Sequence, residues 1–316
     1  DIDRYMYSRF GNPTVAMFQE RMRRMEGAEA AFATATGMAA VFTALAALLG
    51  PHAKGLSAKT ITRLKAAWWE DYEAWQKRDL GTRRFLYIWA DGVYFKPRMA
   101  EEKQCVLVIV GADEYGHKEL LAMTDGFRES TQSWREVLLD LKRRGLKQDP
   151  KLAIGDGALG FWAALREAFP TTREQRCWLH KTMNVLNALA KSVQAKAKAH
   201  LHDIWQAETR AKAEAAFDYF VDTYGVKWDK AVAKLVKDRD ALLTFYDFPA
   251  EHWKHLRTSN PIERAVQQEL KRRTVKVRVF PNSASLLRLV TAVLVEIDET
   301  WQASTQPYIN WNTPDA

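Results

Sequence analysis

Three acidic residues stand where a carboxylate can do chemistry. Asp91 ends the apolar run of RFLYIWADG, Asp156 follows Leu152–Ile154 between Gly155 and Gly157, and Glu263 comes just after Ser259-Asn260-Pro261. A short apolar run bounded by glycine predicts a buried strand that delivers its carboxylate at the C-terminal end. That is where α/β enzymes hold metals or substrates. Glycine-flanked aspartates also occupy plain turns, and a glutamate in a first helical turn also stabilises the helix N-terminus through the dipole. Two carboxylates brought close together repel strongly unless a cation lies between them. A donor set made only of oxygen suits Mg2+ or Mn2+. Cys177 and His180 form a Cys-x-x-His pair. Such a pair can be half of a zinc site, but no second Cys or Cys/His pair follows at suitable spacing. The two are expected to pack and hydrogen-bond near the acids.

The elements that must position these residues follow a regular order. Residues 84–126 predict three strands: a run into Asp91-Gly92 that continues through Val93 and Phe95, then CVLVIVGADEYG, then KELLAMTDGF. A helix over Trp134–Arg144, a strand into Asp156 and a helix over Ala158–Phe169, stopped by Pro170, come next. A second short run around Arg176–Leu179, carrying Cys177 and His180, predicts another strand. The order β-β-β-α-β-α-β is that of an α/β fold with a ribonuclease-H-like mixed sheet, in which the first and fourth strands lie side by side. It brings Asp91 and Asp156 together. From Lys181 to about Asp240 the chain predicts helix throughout, an insertion between the second aspartate and the glutamate. His200 and His202, two apart on a helix, diverge and make a poor metal pair. The lysines and histidines of this stretch face either DNA or solvent. Glu263 sits in the first turn of a helix expected to reach about Arg273. Arg264, Lys271, Arg272, Arg273, Lys276, Arg278 and Arg288 accompany the single acid Glu269 over residues 264–288. With Arg257, this basic run suits a phosphate track.

The chain has 316 residues, 47% hydrophobic content and a formal net charge of +8. It is long enough for two domains and a sizeable core, and an acidic partner fits, nucleic acid ahead of lipid. Two cysteines, Cys105 and Cys177, argue against a disulfide scaffold and for a reducing cytoplasm. Residues 30–49 carry no charge, but alanine and threonine around a glycine drive membrane insertion weakly, so a buried helix is expected and no membrane span. Ser57 is the expected cap of a long helix through Leu64, Trp68, Tyr72 and Trp75 to Leu80. Its start, SAKTITRLK, is either the second helix of a helix-turn-helix, with Lys59 and Arg63 on phosphate, or a solvated linker helix.

Two resemblances add to this reading. Residues 1–48, including YMYSRFGNPTVAMFQERMRRMEGAEAAFATATGMAAV, resemble the start of the pyridoxal-phosphate trans-sulfuration enzymes such as cystathionine γ-synthase and O-succinylhomoserine sulfhydrylase. The resemblance implies a phosphate grip by Tyr7, Arg9 and the backbone of Thr36-Gly37-Met38. Nothing later matches that family's Schiff-base lysine, so pyridoxal catalysis is not expected. Over residues 50–301, ADGVYFKPR, GADEYGHKELLAMTDGFRES, IGDGALGFWAAL, QRCWLHK and LRTSNPIER resemble the Mutator-type transposases of bacterial insertion sequences. From Ala265 to Trp301 the text is similar to a different branch of the same family. The resemblance implies that Asp91, Asp156 and Glu263 form a DDE triad and that Cys177 and His180 are a signature pair. It further implies metal-dependent DNA cleavage and strand transfer, with DNA ends and target as partners and a homo-oligomer assembled on DNA. The expected organisation is a fragment over 1–48 and a helical linker or helix-turn-helix remnant over 49–83. A catalytic core over 84–184 follows, then a helical insertion over 185–255 and the rest of the core over 256–316. That family's N-terminal DNA-binding region is expected to be mostly replaced here, so the competing expectation is an inactive chimera that only binds DNA.

Overall fold

A computed structural model describes residues 17, 19–21, 23–24, 58–95, 104–126, 130–157, 159–270, 272 and 283–311. The chain divides into two compact units, residues 1–67 and 68–316. In the first, the described residues between 17 and 24 are helical, and Glu20 pairs with Arg23 and Arg24, one turn away, at 2.7 Å. The expectations for Tyr7, Arg9, Thr36-Gly37-Met38 and the uncharged run 30–49 lie outside the described residues. Among the described residues, no helix is long and apolar enough to cross a membrane.

Helix α1 (Ala58–Lys77) begins directly after the expected cap, and its Tyr72 and Trp75, within the second unit, pack into that unit's core. Strands β1 (Phe85–Phe95), β2 (Gln104–Asp113) and β3 (Lys118–Gly126) follow as an antiparallel meander. Then come α2 (Thr131–Arg143), β4 (Leu152–Gly155), α3 (Leu159–Ala168) and β5 (Arg173–Arg176). The sheet order is β3-β2-β1-β4-β5, with β1 parallel to β4 and β4 parallel to β5. Parallel pairs need a crossover, and α2 and α3 supply them.

The sheet is buried on both faces, which is why its strands are apolar almost throughout. Ile88, Ala90, Leu107 and Ile109 pack against Trp134, Leu138, Phe161 and Leu165 of α2 and α3. Tyr87, Trp89, Val106, Val108, Leu152 and Ile154 face the other way, into a core shared with the later helices. Gly155 permits the tight seating of α3 at the end of β4: a Cβ there would lie 3.1 Å from the Trp162 ring.

The structure corrects one element. The strand expected over Arg176–Leu179 ends at Arg176, Cys177 is the N-cap, and His180 lies in the first turn of α4 (Trp178–Leu186). A run as short as Cys177-Trp178-Leu179 does not distinguish strand from helix. Here Trp178, Thr182 and Val185 bury one helical face, and that packing decides. The helical stretch after it consists of α5 (Lys191–Trp205), α6 (Arg210–Tyr224), α7 (Asp229–Val236) and α8 (Arg239–Leu243). Fully buried Gln175 on β5 ties it to the sheet. Its amide donates to the Leu242 carbonyl at 3.1 Å and its carbonyl accepts from the Phe245 N–H at 2.8 Å. The chain then passes through α9 (Trp253–Leu256) and α10 (Asn260–Ile262), and ends its helical part in α11 (Ser283–Gln302).

Candidate active site

Side-chain parity along β1 places Asp91 on the face of Tyr87, Trp89 and Val93. The β1–β4 register pairs Tyr87 with Leu152, Trp89 with Ile154 and Ala90 with Gly155. One step further on, Asp91 lies within β1 and Asp156 immediately follows the end of β4, the neighbouring strand. Asp91 is 5% exposed and Asp156 is half-buried. The backbone at Asp156 is held from two sides: Trp162 Nε1 donates to its carbonyl at 2.9 Å and Arg176 Nη1 at 2.7 Å. The Arg176 guanidinium also lies over the Trp162 ring at 4.6 Å. Burial pushes the Arg176 pKa down, against the pull of Asp238, Glu174 and Asp156.

Glu263 comes from the same face. Asn260–Ile262 starts the helix, and Glu263–Gln267 continues it as a π-helical turn. Such turns widen the helix and recur at functional sites. Ser259 does not cap this helix with its side chain. Instead its hydroxyl lies 2.6 Å from Glu263 Oε1 and 3.3 Å from Cys177 Sγ, and its N–H donates to the same sulfur at 3.3 Å. Cys177 is held in turn by the sheet, its N–H donating to the Gly155 carbonyl at 2.7 Å. Glu263 Oε1 is 3.9 Å from Cys177 Sγ and 3.6 Å from His180 Nδ1. The neighbouring Cys177 sulfur, with the negative field of Asp91 and Glu263, outweighs burial and holds the His180 pKa up to about 10. The signature pair and the glutamate therefore meet in space.

Two participants were not evident from sequence. Gln267, one turn after Glu263, donates through Nε2 to Asp91 Oδ2 at 2.9 Å, so the helix that carries the glutamate also orients the first aspartate. Ser259, one turn before Glu263, bridges it to Cys177. Four-residue spacing from Glu263 is the signal that points to both.

The expected phosphate contacts are more dispersed. Arg257 is half-buried, stacks on Trp205 at 4.6 Å and donates to the Trp205 carbonyl at 2.9 Å, which is a packing use of its guanidinium. Arg272 is exposed and pairs with Glu269 at 2.6 Å. The side chains of Arg264, Lys271, Arg273, Lys276 and Arg278 lie outside the described residues.

With this arrangement in view, comparisons with known proteins identify relatives along nearly the whole chain. The family model described as "Transposase, Mutator family" matches residues 8–304. The transposase for insertion sequence element IST2 of Acidithiobacillus ferrooxidans is 49% identical over 258 residues, covering 82% of this chain and 87% of that protein. The transposase for IS6120 of Mycolicibacterium smegmatis is 48% identical over 267 residues, covering 84% and 81%. That for IS406 of Burkholderia multivorans is 35% identical over 280 residues, covering 86% and 69%. A family match of this extent, together with these identities, shows that the chain belongs to the Mutator family of transposases.

Proposed function

We propose that Asp91, Asp156 and Glu263 are the catalytic acids of a DDE-type DNA transposase that cleaves DNA and joins the end of an insertion sequence to a target. The observation that supports this reading is the parallel β1–β4 register, which runs to Ala90 opposite Gly155, the residues just before Asp91 and Asp156. The strand order fits a ribonuclease-H-like core over residues 84–184 and 256–316, with residues 185–255 as a helical insertion and 49–83 as a linker.

The donor set fits divalent metal ions. Carboxylates on adjacent strands offer only oxygen and repel one another without a cation. Asp91 and Asp156 would hold the ions, with Glu263 completing the set, and Mg2+ or Mn2+ match such donors. Bound ions supply activation of water or a DNA 3′-hydroxyl and stabilisation of the leaving oxygen. The chain's own residues do the ordering. Gln267 fixes one oxygen of Asp91, and Arg176 and Trp162 fix the backbone at Asp156, so both acids are oriented before DNA arrives. Ser259 and His180 both face one oxygen of Glu263, Oε1.

Arg264, Lys271, Arg272, Arg273, Lys276 and Arg278 form the phosphate track, positioning the backbone without reading bases. The protein works as a homo-oligomer on DNA, in the cytoplasm, where its two free cysteines stay reduced. Residues 1–48 resemble a pyridoxal-phosphate enzyme, while the Mutator family match reaches back to residue 8, and pyridoxal catalysis is not expected of them. Addition of pyridoxal phosphate is expected to give no internal-aldimine absorbance.

The decisive experiment incubates the protein with supercoiled plasmid and Mg2+ or Mn2+, beside Asp156→Asn. Nicked or joined products from the unaltered chain and none from the variant are expected. A folded, DNA-binding protein with no metal-dependent product would overturn the reading.

A further inference from the structure

We propose that Cys177, His180 and Glu263 form a binding site for a thiophilic divalent cation of the zinc class, distinct in donor chemistry from the aspartate pair. One ligand atom from each of the three residues lies within 4.8 Å of the other two. For a four-coordinate zinc ion with bonds of about 2.0–2.3 Å, tetrahedral edges come to roughly 3.3–3.6 Å. The observed 3.6 Å from His180 Nδ1 to Glu263 Oε1 and 3.9 Å from Cys177 Sγ to the same oxygen need only a small contraction. A second zinc-binding pair in the sequence is therefore unnecessary: the third donor is a carboxylate brought in by the fold.

Three observations support this beyond proximity. His180 Nδ1 is buried, makes no hydrogen bond and faces Glu263 Oε1 at 3.6 Å. Cys177 is 1% exposed and its sulfur accepts from the Ser259 N–H at 3.3 Å, an environment that suits a thiolate ligand. Glu263 Oε1, the third donor, is itself oriented by the Ser259 hydroxyl at 2.6 Å. The donors also differ in kind. A sulfur, an imidazole nitrogen and one oxygen select zinc over magnesium, whereas the aspartate pair selects the reverse. Three protein ligands leave a fourth position open to water.

The site is tested without DNA and without catalysis, so its failure is separable from failure of the transposase chemistry. The metal-free chain is titrated with Co2+, and the thiolate-to-cobalt charge-transfer band is followed together with its loss on adding Zn2+. A saturable band displaced by Zn2+ is expected. It should vanish in Cys177→Ser and persist in Cys105→Ser, whose residue lies in β2. His180→Ala changes a partly exposed side chain and so keeps the test independent of folding at buried Cys177. It should weaken binding at least about tenfold, and Ser259→Ala by about 10–100-fold as an outer-shell partner. Absence of the band in the folded, unaltered protein, or unchanged affinity in His180→Ala, would overturn the proposal.

Discussion

Asp91 shows how much of a site is decided by one side chain's surroundings. It is nearly buried, on a strand flanked by apolar residues, and it accepts a hydrogen bond from the amide of Gln267. Gln267→Ala removes that donor while leaving the carboxylate in place. It should lower plasmid nicking by about 10–100-fold, as outer-shell losses at metal sites do. The concentration of Mg2+ giving half-maximal nicking should rise while thermal unfolding stays near that of the unaltered protein. A drop in activity with no change in metal dependence would assign Gln267 a packing role instead. Glu263→Gln and Asp91→Asn keep shape and remove charge, so nicking should fall below detection while the circular dichroism spectrum is retained.

At the scale of elements, the sheet delivers two acids and a helix delivers the third, so the joints between them control the geometry. Gln175 is one such joint, buried on β5 and bonded to the end of α8 and the turn after it. Gln175→Ala leaves the Phe245 N–H without its partner, at a cost of about 1–3 kcal/mol in urea unfolding. Gly116, between β2 and β3, is another. Its φ is +84°, its carbonyl accepts from the N–H groups of Tyr308 and Ile309, and a Cβ would lie 1.8 Å from the Ile309 carbonyl oxygen. Gly116→Ala should cost at least about 1–3 kcal/mol and free the segment that ends at Trp311. A change within experimental error would show that this turn is held more loosely than its contacts imply.

For the molecule as a whole, charge sets both partner and pH response. The net charge of +8 favours DNA, and affinity should fall linearly in log–log plots against salt. Replacing Lys271 and Arg273 together by alanine should flatten that slope by roughly two. An unchanged slope would remove them from the phosphate track. Stability carries a separate signature. Lys118 lies over the rings of Trp301 and Tyr308, and burial pushes its pKa from 10.5 down to about 8. The unfolded chain therefore binds the extra proton between these values, and the Lys118 contribution to stability rises as pH climbs from about 8 to 10.5. Lys118→Met should remove that rise, as measured by denaturant unfolding at successive pH values.

Much of this was legible in the residues themselves. Apolar runs ending in Asp91-Gly92 and Gly155-Asp156 announced strands with carboxylates, because backbone pairing and burial leave few other uses for such text. Order along the chain then implied that the first and fourth strands are neighbours, as they are. The family was legible too, from motifs spread over most of the chain. What the sequence did not settle were choices made by packing between distant segments. Whether His180 rides a strand or a helix depended on which face Trp178, Thr182 and Val185 could bury. That Arg257 stacks on the Trp205 ring depended on a residue 52 positions away. The meeting of Gln267 with Asp91, and of Cys177 with Ser259 and Glu263, joins residues separated by 82 to 176 positions. Four-residue spacing groups Ser259, Glu263 and Gln267 on one stretch, but only the closed tertiary structure decides which distant polar groups they partner once the apolar faces are covered.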